Sequence, residues 1–363
     1  MSKIFYFFLD RNITRVIFMV MSERITMKQI ADELGLSRRV VSSVVNNKAR
    51  ERGVRAETEE RVRAYLKQRG YVPSSHARGL RMGIRNTVGI LYAGKLYSHL
   101  TEGFNRIISN FHQEDSGISV VLASPSDIES GLQDLIGRGV RNLIWLHAGH
   151  LSHEMSSFED LIPYLKQFDK RIIYNHRFDD AEWDAVFSKH GIFMVGVDRY
   201  DGFYRLGSWL RSLGHSCVSV PHPEISLLSM RAGAGLTKAG IDCIPFNGFA
   251  NTCDPDQIDA CADFIQRSMK ETGITAACFL DDEIAGAVMT VLCERGVKIP
   301  EHLTVTGFDG IPVGASFAVP LTTLGVPVKA MVKRVDRIIK GDLKRYRQKC
   351  RLEIIQRKSH SNL

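Results

Sequence analysis

Two adjacent arginines, Arg38 and Arg39, open a short segment whose valines at 40, 41, 44 and 45 mark a helical face to be buried. Arginine beside a helix N-terminus adds positive charge where the helix dipole is already positive, so the pair does nothing for the helix itself. Its recipient should therefore lie outside the chain. Upstream, Met27, Ile30, Ala31 and Leu34 share one helix face, Gly35 stops that helix, and Ser37 caps the next. Two short amphipathic helices joined by Gly35 and Leu36 predict a helix-turn-helix, whose second helix can enter a major groove. A third helix is predicted over 57–69, with Val62, Tyr65 and Leu66 facing inward and Gly70 as its end.

A different chemistry is suggested further along, where Asp281 and Asp282 follow the apolar run AACFL and precede EIAGAVM. A carboxylate there can accept two hydroxyl hydrogen bonds at once, which suits a polyol, or it can cap the helix that follows. Both roles are open, with Asp281 as the cap. Arg199 after FMVGV, and Trp145 with His147 after RNLIW, fall where crevice loops of an α/β protein are expected. A tryptophan face can stack on a sugar ring, although such a residue is more often core. His147, His150 and His153 lack the order and the partners of a metal site, and GAGLTKAG (233–240) lacks the third glycine of a dinucleotide loop. Neither a metal nor a cofactor is expected, and no constellation of nucleophile and base points to an enzyme.

The elements that must position these residues are of two kinds. Charge divides the chain: the net charge is +8, and residues 1–85 hold 18 Lys/Arg against 8 Asp/Glu. The last 35 residues carry 12 against 3, leaving the middle acidic. A basic head on an acidic body suggests a polyanion-binding module joined to a separate domain, with the basic tail read as a solvated helix face. Beyond Pro73 the period changes. Apolar runs at 87–93, 119–123, 141–146, 171–175 and 193–197, then at 217–221, 276–280 and 303–308, alternate with helix-length amphipathic stretches. This predicts parallel strands with crossover helices in two α/β lobes and a ligand crevice at the strand ends between them. Seven cysteines without a CxxC pair indicate free thiols in a reducing cytoplasm. Residues 1–20 contain two apolar runs split by Asp10, Arg11 and Asn12, neither a signal nor a membrane span, and are read as an upstream extension from a misassigned start codon.

The residues ITMKQIADELGLS, VVSSVVN and ETEERVRAYLKQRGY, then Pro73 with ARGL, resemble the head of the lactose-repressor-type (LacI/GalR) transcription regulators. The body resembles the same family through VDRYDGFYRLGSWLRSLGH, FLDDEIAGAVMTVLCERGVKIPEHLTVTGFDG, VPLTTL and IIQRKS. The resemblance implies a homodimer whose second helix reads operator bases, whose hinge helix enters the minor groove, and whose periplasmic-binding-protein-like core senses a small molecule, most often a sugar. It favours base contact for at least one of Arg38 and Arg39, with phosphate contact as the alternative, and makes Ser37, Ser42, Ser43 and Asn46 phosphate or sugar contacts. Leu80, closing Ala77-Arg78-Gly79-Leu80, matches the family's minor-groove wedge, and Ala77 is placed in the same contact. Asp282 matches its sugar-hydroxyl acceptor, and Arg231 is a candidate for its effector-clamping arginine. The chain also departs from the pattern. The loop NNKARERGVR (46–55) is longer than the commonest version, Arg55 stands where a serine cap is favoured, Ser43 replaces a phosphate-contacting arginine, and Ser74 replaces an asparagine.

The expected architecture is an α/β sensor core of two lobes with parallel sheets, preceded by a small all-α helix-turn-helix domain. Its expected divisions are 1–20 as the extension, 24–72 as the DNA-binding domain and 73–84 as the hinge. Lobe 1 is expected to comprise 85–197 with 322–352, and lobe 2 to comprise 198–321 with 353–363. The expected function is a cytoplasmic, sequence-specific DNA-binding regulator, a repressor of carbohydrate uptake or catabolism genes under allosteric control by a sugar-like effector, without a membrane partner. Two alternatives are a sugar-binding receptor without DNA-linked regulation, disfavoured by the basic head, and an enzyme on a doubly wound sheet.

Overall fold

The computed structural model describes residues 27–45, 48–68, 87–93, 98–113, 118–123, 127–147, 155–178, 181–246 and 254–363. The chain divides into two compact units, Met1–Met82 and Gly83–Leu363.

The first unit contains α1 (Met27–Leu34), α2 (Arg38–Val45), a three-ten turn (Arg50–Arg52) and α3 (Ala56–Gln68). The turn between α1 and α2 requires Gly35, whose φ of 64° lies in the left-handed region, and it is closed by Leu36 N–H donating to the Ala31 carbonyl at 2.9 Å. Ile30, Ala31, Leu34, Val41, Val44, Ala49 and Val62 form the small core, with Tyr65 and Leu66 packed against it. Arg61 donates to the Leu34 carbonyl at 3.0 Å, a cation closing the C-terminus of α1.

The second unit holds two six-stranded sheets. The first contains β1 (Val88–Ala93), β2 (Ile118–Ala123), β3 (Asn142–His147), β4 (Lys170–Arg177), β5 (Phe193–Val197) and β11 (Arg347–Cys350), in the order β11-β5-β4-β3-β1-β2. The second contains β6 (Cys217–Pro221), β7 (Asp242–Phe246), β8 (Ala276–Cys278), β9 (Thr304–Asp309), β10 (Thr322–Gly325) and β12 (Glu353–Ile355), in the order β12-β10-β9-β8-β6-β7. Among the described residues every pairing is parallel except β10 with β12. Nine helices among the described residues complete this unit: α4 (Ser98–Gln113), α5 (Ile128–Gly137), α6 (Met155–Leu165), α7 (Ala181–Lys189), α8 (Arg199–Ser212), α9 (Leu227–Lys238), α10 (Pro255–Glu271), α11 (Asp282–Glu294) and α12 (Val328–Ile339).

Both faces of the first sheet are buried, so its strands are apolar at successive positions rather than alternate ones. Ile144 and Leu146 of β3 join one cluster, while Leu143 and Trp145 join the other with Leu91, Phe158 and Met194. The two sheets are linked three times: from β5 to α8, from β10 to α12, and from β11 to β12. The middle link differs from the expected division at 322. Strand β10 pairs with β9 in the second sheet, so 322–325 belongs to the second lobe and the crossing falls after Gly325. The last crossing is pinned to its lobe by polar contacts. Asp184 of α7 meets His176 at 2.5 Å and Arg347 of β11 at 2.6 Å, and Lys349 pairs with Asp198.

Candidate functional site

In α2 the apolar side is the inner side, with Val41 and Val44 buried. Ser37, Arg38 and Arg39 are exposed and Ser42 is half-buried, so the polar start of the helix faces outward. Ser37 Oγ accepts from the Val40 N–H at 3.4 Å, a long cap. Ser43 corrects the expectation set for it. It is 2% exposed, and its hydroxyl donates to the Arg39 carbonyl at 2.7 Å, so both its position and its proton are used inside the head. Asn46, Ala77, Leu80 and the hinge 73–84 lie outside the described residues, as do residues 1–20.

In the second unit both sheets have a strand order that reverses beside the first strand, between β1 and β3 and between β6 and β8. Such switch points define crevices at the carboxyl ends of the strands. Asp281 and Asp282 follow β8 at one of them. Asp281 is the N-cap of α11, accepting from the N–H groups of Glu283 at 2.7 Å and Ile284 at 3.0 Å. Asp282 is 1% exposed, and its Oδ2 accepts from the N–H groups of Gly310 and Ile311, both at 2.8 Å. Its Oδ1 rests over Gly307, where a Cβ would approach within 2.0 Å. A glycine is therefore needed at 307 for the carboxylate to sit where it does.

Burial pushes the Asp282 carboxyl up to about 7, opposed by the Thr323 hydroxyl and the two N–H donors and reinforced by the charge of Asp309. Burial also raises Asp281, again with Asp309 adding to it. Asp309 ends β9 with φ 105° and is 7% exposed, so three carboxylates converge at this end of the second sheet. Sequence reading missed Asp309. Its signal is an Asp-Gly pair directly after the apolar run LTVTGF, the same signal that marked Asp282.

The other expected effector residues are scattered. Arg199 is the first residue of α8, 5% exposed, at the crossing between the lobes. Arg231 lies in the second turn of α9 and is half-buried. His147 is the last residue of β3, at the carboxyl edge of the first sheet. Trp145 is a correction: at 3% exposure its ring fills the core between β3 and the helices on that face and offers no surface for stacking. GAGLTKAG lies mostly within α9, where it is helix rather than phosphate loop.

This arrangement defines a class: a two-lobe, periplasmic-binding-protein-like core carrying a helix-turn-helix head. The family described as periplasmic binding protein-like domain matches residues 211–359. The chain is 24% identical over 318 residues to the HTH-type transcriptional regulator GalS of Salmonella typhimurium, covering 85% of this chain and 87% of the relative. It is 24% identical over 322 residues to the HTH-type transcriptional repressor PurR of Vibrio atlanticus, covering 86% and 90%. Among solved structures, the lac repressor dimer bound to operator and the anti-inducer ONPF matches with a TM-score of 0.68 at 19% identity, covering 93% of this chain and 99% of that one. A LacI family regulator from Enterococcus faecium with bound ribose matches with a TM-score of 0.56 at 19% identity, covering 76% and 99%. Over most of its length the chain is similar to helix-turn-helix transcriptional regulators of the LacI/GalR type.

Proposed function

We propose that this protein is a sequence-specific DNA-binding transcriptional regulator, a cytoplasmic homodimer that represses carbohydrate uptake or catabolism genes and responds to a sugar-like effector. The observation that carries the reading is the orientation of α2, which buries Val41 and Val44 and presents Arg38 and Arg39 to solvent. In this reading the pair enters the major groove, at least one arginine reads guanine, and Ser37 and Ser42 contact the backbone with Asn46. No helix among the described residues is long and apolar enough to cross a membrane.

The effector is held between the lobes, with Asp282, Arg199, Arg231 and His147 as candidate contacts. Asp282 Oδ2 is occupied by the 310–311 backbone and Oδ1 is covered over Gly307, so in this reading a ligand hydroxyl reaches Oδ1 only once that oxygen is uncovered. Relatives support the sugar class: one neighbour carries ribose, and others carry sucrose and glucose. Three crossings between lobes allow them to close, and a few kcal/mol of differential contact is enough to switch occupancy. Closure would alter the separation of the two hinges in the dimer, where Ala77 and Leu80 engage the minor groove.

Genomic footprinting tests the proposal. The expected result is a short, two-fold symmetric sequence beside carbohydrate genes, with protection changed by the sugar those genes handle. Protection without any common sequence would overturn it.

A further inference from the structure

We propose that the turn after α2, residues 48–55, is a second DNA-contacting element that grips backbone phosphates through Arg50 and Arg52, assisted by Lys48 and Arg55. The inference rests on the proposed DNA-binding function and adds to it a surface that the recognition helix does not supply.

The turn is built rather than loose. Lys48 N–H donates to the Ser43 carbonyl at 2.8 Å, which continues the end of α2, and Val54 N–H donates to the Ala49 carbonyl at 2.9 Å. Ala49 is 2% exposed in the core of the head, and Val54 packs against the same cluster. Between these anchors the chain makes one three-ten turn, Arg50–Arg52, and reverses at Gly53 with φ 67°. The fixed backbone directs Lys48, Arg50, Arg52 and Arg55 outward, and all four are exposed.

Among the described residues of the head nothing uses their charge. The i,i+4 pair of Arg63 with Glu59 belongs to α3, and none of the four cations is ion-paired among the described residues. Glu51 is the single acid in the segment, leaving it with a net charge of +3. Arg55 also immediately precedes α3, where a cation opposes the helix dipole. A segment selected for the stability of the head would not place it there.

The spacing fits a duplex. Eight residues of α2 span about 12 Å, and the major groove is about 12 Å wide. With Arg38 and Arg39 directed at base edges from one end of the helix, the turn at its other end stands at the level of the groove's phosphate wall. Phosphate contacts fix register and add affinity without reading sequence. Arginine suits them through its fork of donors.

The test is a salt titration of the full-length protein on a short duplex of random sequence and on the footprinted operator, comparing the parent with the double variants Arg50→Ala/Arg52→Ala and Arg50→Lys/Arg52→Lys. For every phosphate no longer neutralised, the slope of log K against log salt should fall by about 0.9. The dimer presents two such turns, so the double alanine variant gives up four phosphate contacts and between roughly 50 and 200 mM salt should lose about 150-fold less affinity than the parent. The double lysine variant should keep the parental slope, the preference for operator over random duplex should be unchanged in both, and melting temperatures should not move. A parental slope in the alanine variant would show that the arginines are merely solvated. A lost operator preference with the slope retained would make them base readers and overturn the phosphate assignment. A parent that binds no duplex would remove the function on which the inference rests.

Discussion

Replacing Asp282 with asparagine removes a titrating group while keeping its shape and one oxygen able to accept from the Gly310 and Ile311 N–H groups. Burial holds the native carboxyl at about 7, against an ordinary value near 4 in the unfolded chain. The folded state thus binds this proton more tightly than the unfolded one. The resulting stabilisation is complete below about pH 4 and is lost as pH rises through about 7. Between about pH 5 and pH 8 it should fall by roughly 2 to 3 kcal/mol, because each unit of pKa displacement corresponds to about 1.4 kcal/mol. Asp282→Asn lacks this dependence. Urea unfolding of both proteins across that range should show the variant gaining stability relative to the parent by the same roughly 2 to 3 kcal/mol on going from acid to alkaline solution. The paired comparison cancels the other titrating groups, which both proteins share. A difference that stays flat with pH would refute the reasoning. It would mean that Asp282 is ionised in the folded protein throughout, its three donors outweighing burial and the charge of Asp309.

Two further outcomes follow from the same geometry. Asp282→Ala should leave operator affinity in place and abolish the response to the effector, since it removes Oδ1 and unties the 310–311 backbone; calorimetry showing the parental effector affinity would take Asp282 out of the site. Leu80→Ala should keep the dimer and effector affinity while weakening operator binding and reducing DNA bending in a permuted-site gel assay, and parental bending would make Leu80 an ordinary linker residue.

The helices of the head were legible because their buried faces repeat at helical spacing and Gly35 and Ser37 punctuate them. Most strands were legible as apolar runs, since a sheet covered on both faces needs no polar alternation. The residues that escaped did so for tertiary reasons. Strand β7, DCIPF, carries Pro245, which is tolerated because β7 stands at the edge of its sheet and, among the described residues, pairs only with β6. Strand β10 falls in the other lobe from the one expected because only its pairing with β9, remote in sequence, decides the matter. Ser43 is a polar type whose role turns on which face it occupies, and one step of helical phase moves it from surface to core; Trp145 sits on a strand whose two faces are both buried, so either phase places it in a core. Asp282 follows β8 and opens α11, the position its sequence context implies. Its commitment of Oδ2 to the 310–311 backbone depends on a contact 28 residues away, which no local pattern encodes.

The central claim is that α2 reads base sequence through the arginine pair at its start. The most direct measurement is competition binding of the full-length protein to its footprinted operator against random duplex at one fixed salt concentration, for the parent, Arg38→Ala and Arg39→Ala. Loss of one bidentate guanine pairing in each half-site should cost the dimer about 2 to 6 kcal/mol on operator, a factor of at least about 30, with a much smaller loss on random duplex. At least one of the two variants should therefore show a collapsed operator preference. Equal losses on operator and random duplex for both variants would contradict the account, because the pair would then be binding phosphate and the sequence would be read elsewhere.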